Sequence, residues 1–211
     1  MNEKLIKYPR SMHLMHSPGT TSDDRILVSH DHFHRQHVVI TEKLDGENAT
    51  LNCEKVHARS LDSGFHPSRS AVRAIHGEIK HLIPAGFRIC GENMYAKHSL
   101  EYDSLPSYFM VFSIWNNDKC LSWEDTVLWA NLLGLNTVPV LFSGKWEDID
   151  FVKLSSGKSV YGAEREGYVV RLASSFKFDD FGTSLAKFVR TKHVQTDTHW
   201  MSKQIVPNKL A

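Results

Sequence analysis

The sequence predicts an α+β fold built on antiparallel sheets. Two observations carry this. Strand-like and helix-like segments are mixed along the chain, and they lack the regular alternation of a parallel βαβ fold. A third bears on domains: no repeat, low-complexity tract or linker divides the chain. At 211 residues, with 41% hydrophobic and 23% charged side chains, one large globular domain or two small ones would fit. The missing linker favours a single domain over residues 1–211.

Each element has a local reason. Residues 9–24 hold Pro9, Pro18 and Gly19 among Ser, Thr and Asp, and read as a loop. A His-rich stretch follows, with His30, His32, His34 and His37. Residues 38–44 are rich in β-branched side chains and read as a strand. Asp45-Gly46 is a turn signal, and residues 49–53 alternate as the return strand of a hairpin. Lys43 is thereby placed at a strand end beside a turn. Pro67-Ser68-Arg69-Ser70 opens a helix in which Val72, Ile75, Ile79 and Leu82 fall at helical spacing, and Pro84-Ala85-Gly86 stops it. Residues 88–90 and 108–115 read as strands. A second helix starts near Ser122, with Glu124 and Asp125 in the turn where the helix dipole favours carboxylates, and Gly134 stops it. Residues 137–142, 167–172 and 185–190 read as strands.

Charge and cysteine usage exclude several classes. Lys+Arg is 25 against 24 Asp+Glu, so no global basic field exists, and any nucleic-acid partner must meet a local patch. Cys53, Cys90 and Cys120 are odd in number and form no C-x-x-C pair, so a disulfide framework is not expected and a reduced, cytoplasmic setting is. Residues 1–10 lack the apolar core of a signal peptide, and no apolar run approaches the ~20 residues that span a membrane.

The chemistry concentrates around Glu42-Lys43-Leu44-Asp45-Gly46-Glu47-Asn48. A solvated hairpin lysine is the plain reading. The functional one is a lysine nucleophile, whose amine must lose its proton although an unperturbed lysine has a pKa near ~10.4. Neighbouring cations or desolvation are then required. Downstream come Arg59 in Ala58-Arg59-Ser60, Glu92 in Gly91-Glu92-Asn93, Phe112 in a strand-like run, Glu166 in Glu166-Gly167-Tyr168-Val169, and Lys187 in Ala186-Lys187-Phe188. Taken singly, Arg59 is a surface arginine, Phe112 a core aromatic, and Glu166 and Lys187 are solvated strand ends.

Taken in order, this set resembles the motifs of the covalent nucleotidyltransferases, which include ATP-dependent DNA and RNA ligases and mRNA capping enzymes. It spans about residues 38–190, and Lys43-Leu44-Asp45-Gly46-Glu47-Asn48 with Gly91-Glu92-Asn93-Met94-Tyr95 looks most like the RNA ligase branch. The resemblance implies the nucleotidyltransferase (ligase adenylation domain) fold, with ATP and Mg²⁺, or Mn²⁺ in its place, as cofactors and RNA ends as partner. It implies that Lys43 attacks the α-phosphorus of ATP. Asp45 and Gly46 shape the turn beneath it, Glu42 and Asn48 lie by the nucleotide, and Arg59 contacts phosphate or ribose. Glu92 would hold the ribose hydroxyls, Phe112 stack on adenine, Glu166 bind a divalent metal, and Lys187 stabilise the α-phosphate. The implied activity is ATP-dependent sealing of 5′-phosphate and 3′-OH RNA ends through a lysyl-AMP intermediate, in RNA repair. Rival readings are a DNA ligase, a capping-type guanylyltransferase, and a non-catalytic nucleotide or RNA-end binding module.

The chain departs from the pattern twice. Related ligases often carry Lys-x-Lys in the last motif, whereas Val189 stands where the second lysine belongs. Arg190 could supply that charge, but strand alternation sends it to the other face. The segments flanking residues 43–190 are too short for an OB barrel, so no separate OB domain is expected. Two further features carry weaker readings. Alternate histidines at His30, His32, His34 and His37 would share a face of an extended segment, which suits metal or a solvated loop. Residues 191–200, with Trp200, would touch RNA or dock as a tail.

Overall fold

A computed structural model of the chain describes residues 4–162, 164–191 and 204–211. Residues 192–200, most of the tail singled out above, lie outside the described residues.

In chain order the strands are β1 (Met12–His13), β2 (His37–Lys43), β3 (Glu47–Leu51), β4 (Val56–Ala58), β5 (Phe87–Asn93) and β6 (Phe109–Asn116). They continue with β7 (Lys119–Cys120), β8 (Asn136–Thr137), β9 (Val140–Lys145), β10 (Gly167–Leu172), β11 (Phe176–Lys177) and β12 (Leu185–Val189). The helices are α1 (Ser70–Ile79), α2 (Trp123–Leu132) and the short α3 (Phe151–Leu154) and α4 (Phe181–Ser184). Among the described residues these strands form two sheets, one ordered β1-β12-β10-β2-β9 and the other β11-β7-β6-β5-β3-β4, with β8 beside β6. All pairings are antiparallel except β1 with β12 and β6 with β8. The α+β antiparallel expectation therefore holds.

Strand β2 is buried on both faces, which accounts for its run of β-branched residues. Val38 and Ile40 enter an outer core with Tyr168, Val170 and Phe188. Val39 faces the second sheet and packs in a core with Met110, Tyr102 and Leu105. On the far side of the second sheet, α1 contributes Val72 and Ile79, and Ala130 and Leu133 come from α2 and its end, over Leu51, Ile89 and Val111. Ser122 caps α2 by accepting the Asp125 amide at 3.0 Å.

The expected hairpin does not form. Strand β2 pairs with β10 and β9, and β3 pairs with β4 and β5, so residues 44–46 carry the chain from one sheet to the other. Tertiary contacts override the local turn signal. The Asp45 carboxylate accepts the amides of Ser99 and Leu100, both at 2.8 Å, and the Asp45 amide donates to the Tyr102 hydroxyl at 3.0 Å. Gly46 lies against β5 so closely that a Cβ would sit 2.6 Å from the Asn93 carbonyl oxygen. Lys43 consequently ends one sheet where the other begins.

Residues 9–24 are more than a loop. They contain β1, which adds parallel to β12 through Met12↔Ala186 and His13↔Lys187. The histidine stretch is not extended either, because Asp31–Phe33 forms a 3-10 turn. His30 packs on His16 and Trp146, His34 pairs with Glu147 at 3.4 Å, and no metal-holding group of His, Cys, Asp or Glu occurs among the described residues. No helix among them is long and apolar enough to cross a membrane.

Candidate active site

Register decides which side chains meet. In the first sheet Gly167 opposes Lys43 and Val169 opposes both Thr41 and Lys187. Side chains alternate along a strand and directly opposed residues share a face, so Lys43, Thr41, Val169 and Lys187 point the same way. In the second sheet Asn48 opposes Glu92, so these two also share a face. Between the sheets lies a cavity of about 510 Å³, whose wall includes Lys43, Lys187, Asn48, Arg59, Glu92 and Phe112.

Phe112 owes its direction to a bulge. Cys90 pairs with Ser113 and Gly91 with Val111, which leaves Phe112 as the extra residue of β6. It is half-buried at the cavity, with the Tyr8 ring edge-on at 5.2 Å. Arg59 follows β4 directly, and its Nε is buried with no hydrogen-bond partner. The Asn48 Oδ1 is likewise buried and unpaired. Two orphaned polar atoms in one cavity wall fit a polar ligand.

Glu166 stands one residue before β10 and is buried beside the cavity rather than in its wall. Its Oε2 lies 2.6 Å from Lys43 Nζ. Burial works against the Lys43 charge, but Glu166, then Glu92 and Asp45, outweigh it and hold the pKa above the ordinary lysine value. A nucleophilic lysine needs the reverse, a pKa pushed toward neutrality. The local carboxylates account for the difference, and they keep Lys43 as an ammonium in this state.

Those carboxylates are crowded. Burial, opposed by Lys43 and reinforced by Glu166 and Asp45, raises the Glu92 pKa from 4.5 to about 8. Near neutral pH Glu92 is therefore largely protonated, which limits the negative charge around Lys43. Carboxylate and phosphate oxygens suit a divalent cation, and Glu166 and Glu92 are the residues that would hold one here.

Lys187 has its own partner. Its Nζ lies 3.4 Å from Asp24 Oδ1, and the same oxygen lies 3.2 Å from His13 Nε2. Burial opposes charge on Asp24, but Thr21, Lys187 and His13 outweigh it and hold the carboxyl well below its usual range. Burial lowers the Lys187 pKa, with Asp24 opposing and Lys43 assisting. Neither Asp24 nor His13 belongs to the motif set; the parallel addition of β1 brings His13 here, and main-chain bonds from His13 to Arg25 and Leu27 bring Asp24 with it.

The side chains of Glu42, Asp45 and Arg190 are engaged outside the cluster of Lys43 and Lys187. Glu42 alternates with Lys43, so its buried carboxylate turns to the opposite face, beside Ser159 and Arg165. Asp45 acts through the amides of residues 99 and 100. Arg190 does not replace the missing lysine: its Nε donates to the Arg165 carbonyl at 2.9 Å and its guanidinium pairs with Glu164 at 3.4 Å. Sequence reasoning also missed Arg69, a buried residue whose Nε donates to both Glu47 carboxylate oxygens at 3.0 Å, anchoring the start of β3.

A family model described as RNA ligase matches residues 36–189, which carry the crossing, the lysine and both walls of the cavity. The chain belongs to the RNA ligase family. Solved structures agree on the fold of this family member. A Naegleria gruberi RNA ligase in its apo form superposes with TM-score 0.60 at 15% identity, covering 90% of this chain and 59% of that one. A structure of the N. gruberi ligase with ATP and Mn gives TM-score 0.58 at 18% identity, over 89% of this chain and 61% of that one. An archaeal ATP-dependent RNA ligase gives TM-score 0.58 at 16% identity, over 87% of this chain and 48% of that one. The chain thus spans about half to three fifths of the length of these ligases. No curated protein sequence matches it.

Proposed function

We propose that this protein is an ATP-dependent RNA ligase that joins 5′-phosphate and 3′-OH ends through a lysyl-AMP intermediate. Its setting would be cytoplasmic RNA repair, with Mg²⁺ or Mn²⁺ as the metal. Residues 36–189 and their flanking segments would act as one adenylation domain. The carrying observation is that Lys43, Glu92 and Lys187 line one cavity between two sheets, with Glu166 paired to Lys43 beside it. Family membership and the fold of the solved ligases support the same reading.

The residues divide the work. Lys43 Nζ is the nucleophile toward the α-phosphorus, with pyrophosphate leaving. It can attack only after its proton is lost, so the Glu166 contact must loosen when nucleotide arrives. A bound divalent cation would neutralise phosphate charge and draw on the carboxylates that now stabilise the ammonium. Lys187 faces the same space and would stabilise negative charge developing on the α-phosphate, while Asp24 holds it in place. Phe112 offers a flat apolar surface to adenine, and Arg59 and Asn48 offer a buried donor and acceptor. AMP then passes to a 5′-phosphate, and a 3′-hydroxyl displaces it to seal the strand. In all three steps the protein positions groups and balances charge.

Intact-mass analysis after incubation with ATP and Mg²⁺ tests this directly. One added AMP is expected, mapped to Lys43 and absent from Lys43→Ala. A normal adduct yield in that variant would remove the mechanism, and an adduct formed from GTP alone would move the protein to the capping class.

A further inference from the structure

The cations in the cavity wall are Lys43, Lys187, Arg10, Arg59 and Arg171, the last donating to the Leu121 and Leu172 carbonyls. Lys43 is matched by Glu166 and Lys187 by Asp24. Arg10 and Arg59 have no carboxylate partner among the described residues, and Arg10 is close enough to raise the electrostatic cost of charging Arg59. Burial, then Arg10, pulls the Arg59 pKa below the ordinary arginine value. Two guanidiniums lining one cavity without a carboxylate counter-ion form a costly arrangement that an anion relieves.

The segment carrying Arg10 is fixed rather than draped. Tyr8 is buried, with ring contacts to Phe112 at 5.2 Å and Phe181 at 5.4 Å. From that anchor Tyr8, Pro9, Arg10 and Ser11 all line the cavity. Arg10 spends one donor on the Asp23 carbonyl at 3.0 Å, which orients the guanidinium and leaves its other donors available. Arg59 brings a buried Nε with no acceptor, and the hydroxyl residues Ser11, Ser60 and Ser63 lie in the same wall.

We infer that Arg10 and Arg59 form a clamp for a terminal phosphate, with the N-terminal segment supplying half of it. The shared chemistry is a phosphate dianion met by two planar donor forks. Two sources present such a group, the leaving pyrophosphate portion of ATP and the 5′-phosphate of the RNA. The natural ligand rests on the ligase reading, whereas the clamp itself does not.

The test uses the full chain, Arg10→Ala and Arg10→Lys. Arg10 is exposed and makes a main-chain bond, so the fold should persist, as a thermal melt will show. Calorimetric titration with magnesium pyrophosphate and with inorganic phosphate requires no ligase activity. Wild type should bind, Arg10→Ala should lose about tenfold or more in affinity, and Arg10→Lys should recover part of it. A rise of about tenfold in the ATP KM for lysyl-AMP formation, with sealing of pre-adenylylated RNA intact, assigns the clamp to ATP. Normal lysyl-AMP formation with slowed AMP transfer to 5′-phosphorylated RNA assigns it to the RNA end. Wild type binding pyrophosphate through Arg10 while forming no lysyl-AMP would sink the ligase reading and leave the clamp standing. Absence of binding by wild type, or Arg10→Ala within about twofold of it in every arm, overturns the inference.

Discussion

The 2.6 Å contact between Lys43 and Glu166 sets up an experiment with two readouts of opposite sign. Glu166→Gln keeps the shape and a hydrogen-bond acceptor but removes the charge that stabilises the ammonium. A hydrogen bond between charged groups contributes about 1.5–3 kcal/mol against about 1 for a neutral one. The Lys43 side chain is 27% exposed, so solvent screens part of this, and a loss of about 1–2 kcal/mol follows. Since about 1.4 kcal/mol is tenfold, the neutral amine fraction at a given pH should rise about five- to thirtyfold. Pulse labelling with acetic anhydride in the absence of nucleotide, read as the rate at the Lys43 peptide between pH 6 and 9, measures it. Labelling should accelerate by about that factor. Lysyl-AMP formation should instead fall by about tenfold or more across a Mg²⁺ titration, because Glu166 is also a proposed metal holder. An unchanged labelling rate would show that Glu166 does not govern the Lys43 proton. Adenylylation near wild type would show that the carboxylate is only structural.

Three further outcomes are expected. Glu92 has a folded-state pKa of about 8 against 4.5, so the folded chain binds more protons in that window and stability falls as pH rises from about 5 to 8. Urea melts should show this slope, Glu92→Gln should flatten it, and Mg²⁺ with ATP should stabilise wild type more at pH 8 than at pH 6. Gly46→Ala forces a methyl group to within 2.6 Å of a main-chain oxygen and 2.8 Å of the Glu92 side chain. It should cost about 1–3 kcal/mol in denaturant melts and slow adenylylation; an unchanged midpoint would mean that the crossing gives way easily. Matched nicks whose 3′-OH strand ends in ribose should be sealed faster than those ending in deoxyribose, through contacts to the 2′-hydroxyl. Equal or faster sealing of the all-DNA nick would reassign the protein to DNA ligation while leaving the Lys43 chemistry intact.

Much of the frame was legible because its signals are local. The strand at 167–172 and the two long helices follow from β-branched runs, helical spacing and first-turn carboxylates. Of the residues in the motif order, Lys43, Arg59, Glu92, Phe112 and Lys187 line one cavity, and Glu166 lies beside it. What escaped is non-local. An Asp-Gly pair looks the same whether the chain turns back or crosses over, and the choice rests on amides at residues 99 and 100 and on the β5 backbone. Strand β1 is two residues long, too short to show a period, yet it brings His13 and Asp24 to Lys187. The protonation of Lys43 was misjudged because the sequence shows which charges exist, not which ones lie nearest.

The place of β12 between β1 and β10 also constrains the order in which the molecule can be completed. Lys43 and Glu166 are 123 residues apart and Lys187 and Asp24 are 163 apart, so the site is closed by some of the longest loops available to the chain. Closing long loops costs entropy before any contact repays it, and such contacts form late. A nascent or partly folded chain that lacks residues 185–189 has Lys43 but no Lys187, an open β10 edge, and no strand on which β1 can lay Asp24. The proposed nucleotide site is therefore complete only once β12 is in place. The half-made protein is exposed to a different hazard, pairing of its bare β10 edge with another chain before β12 arrives.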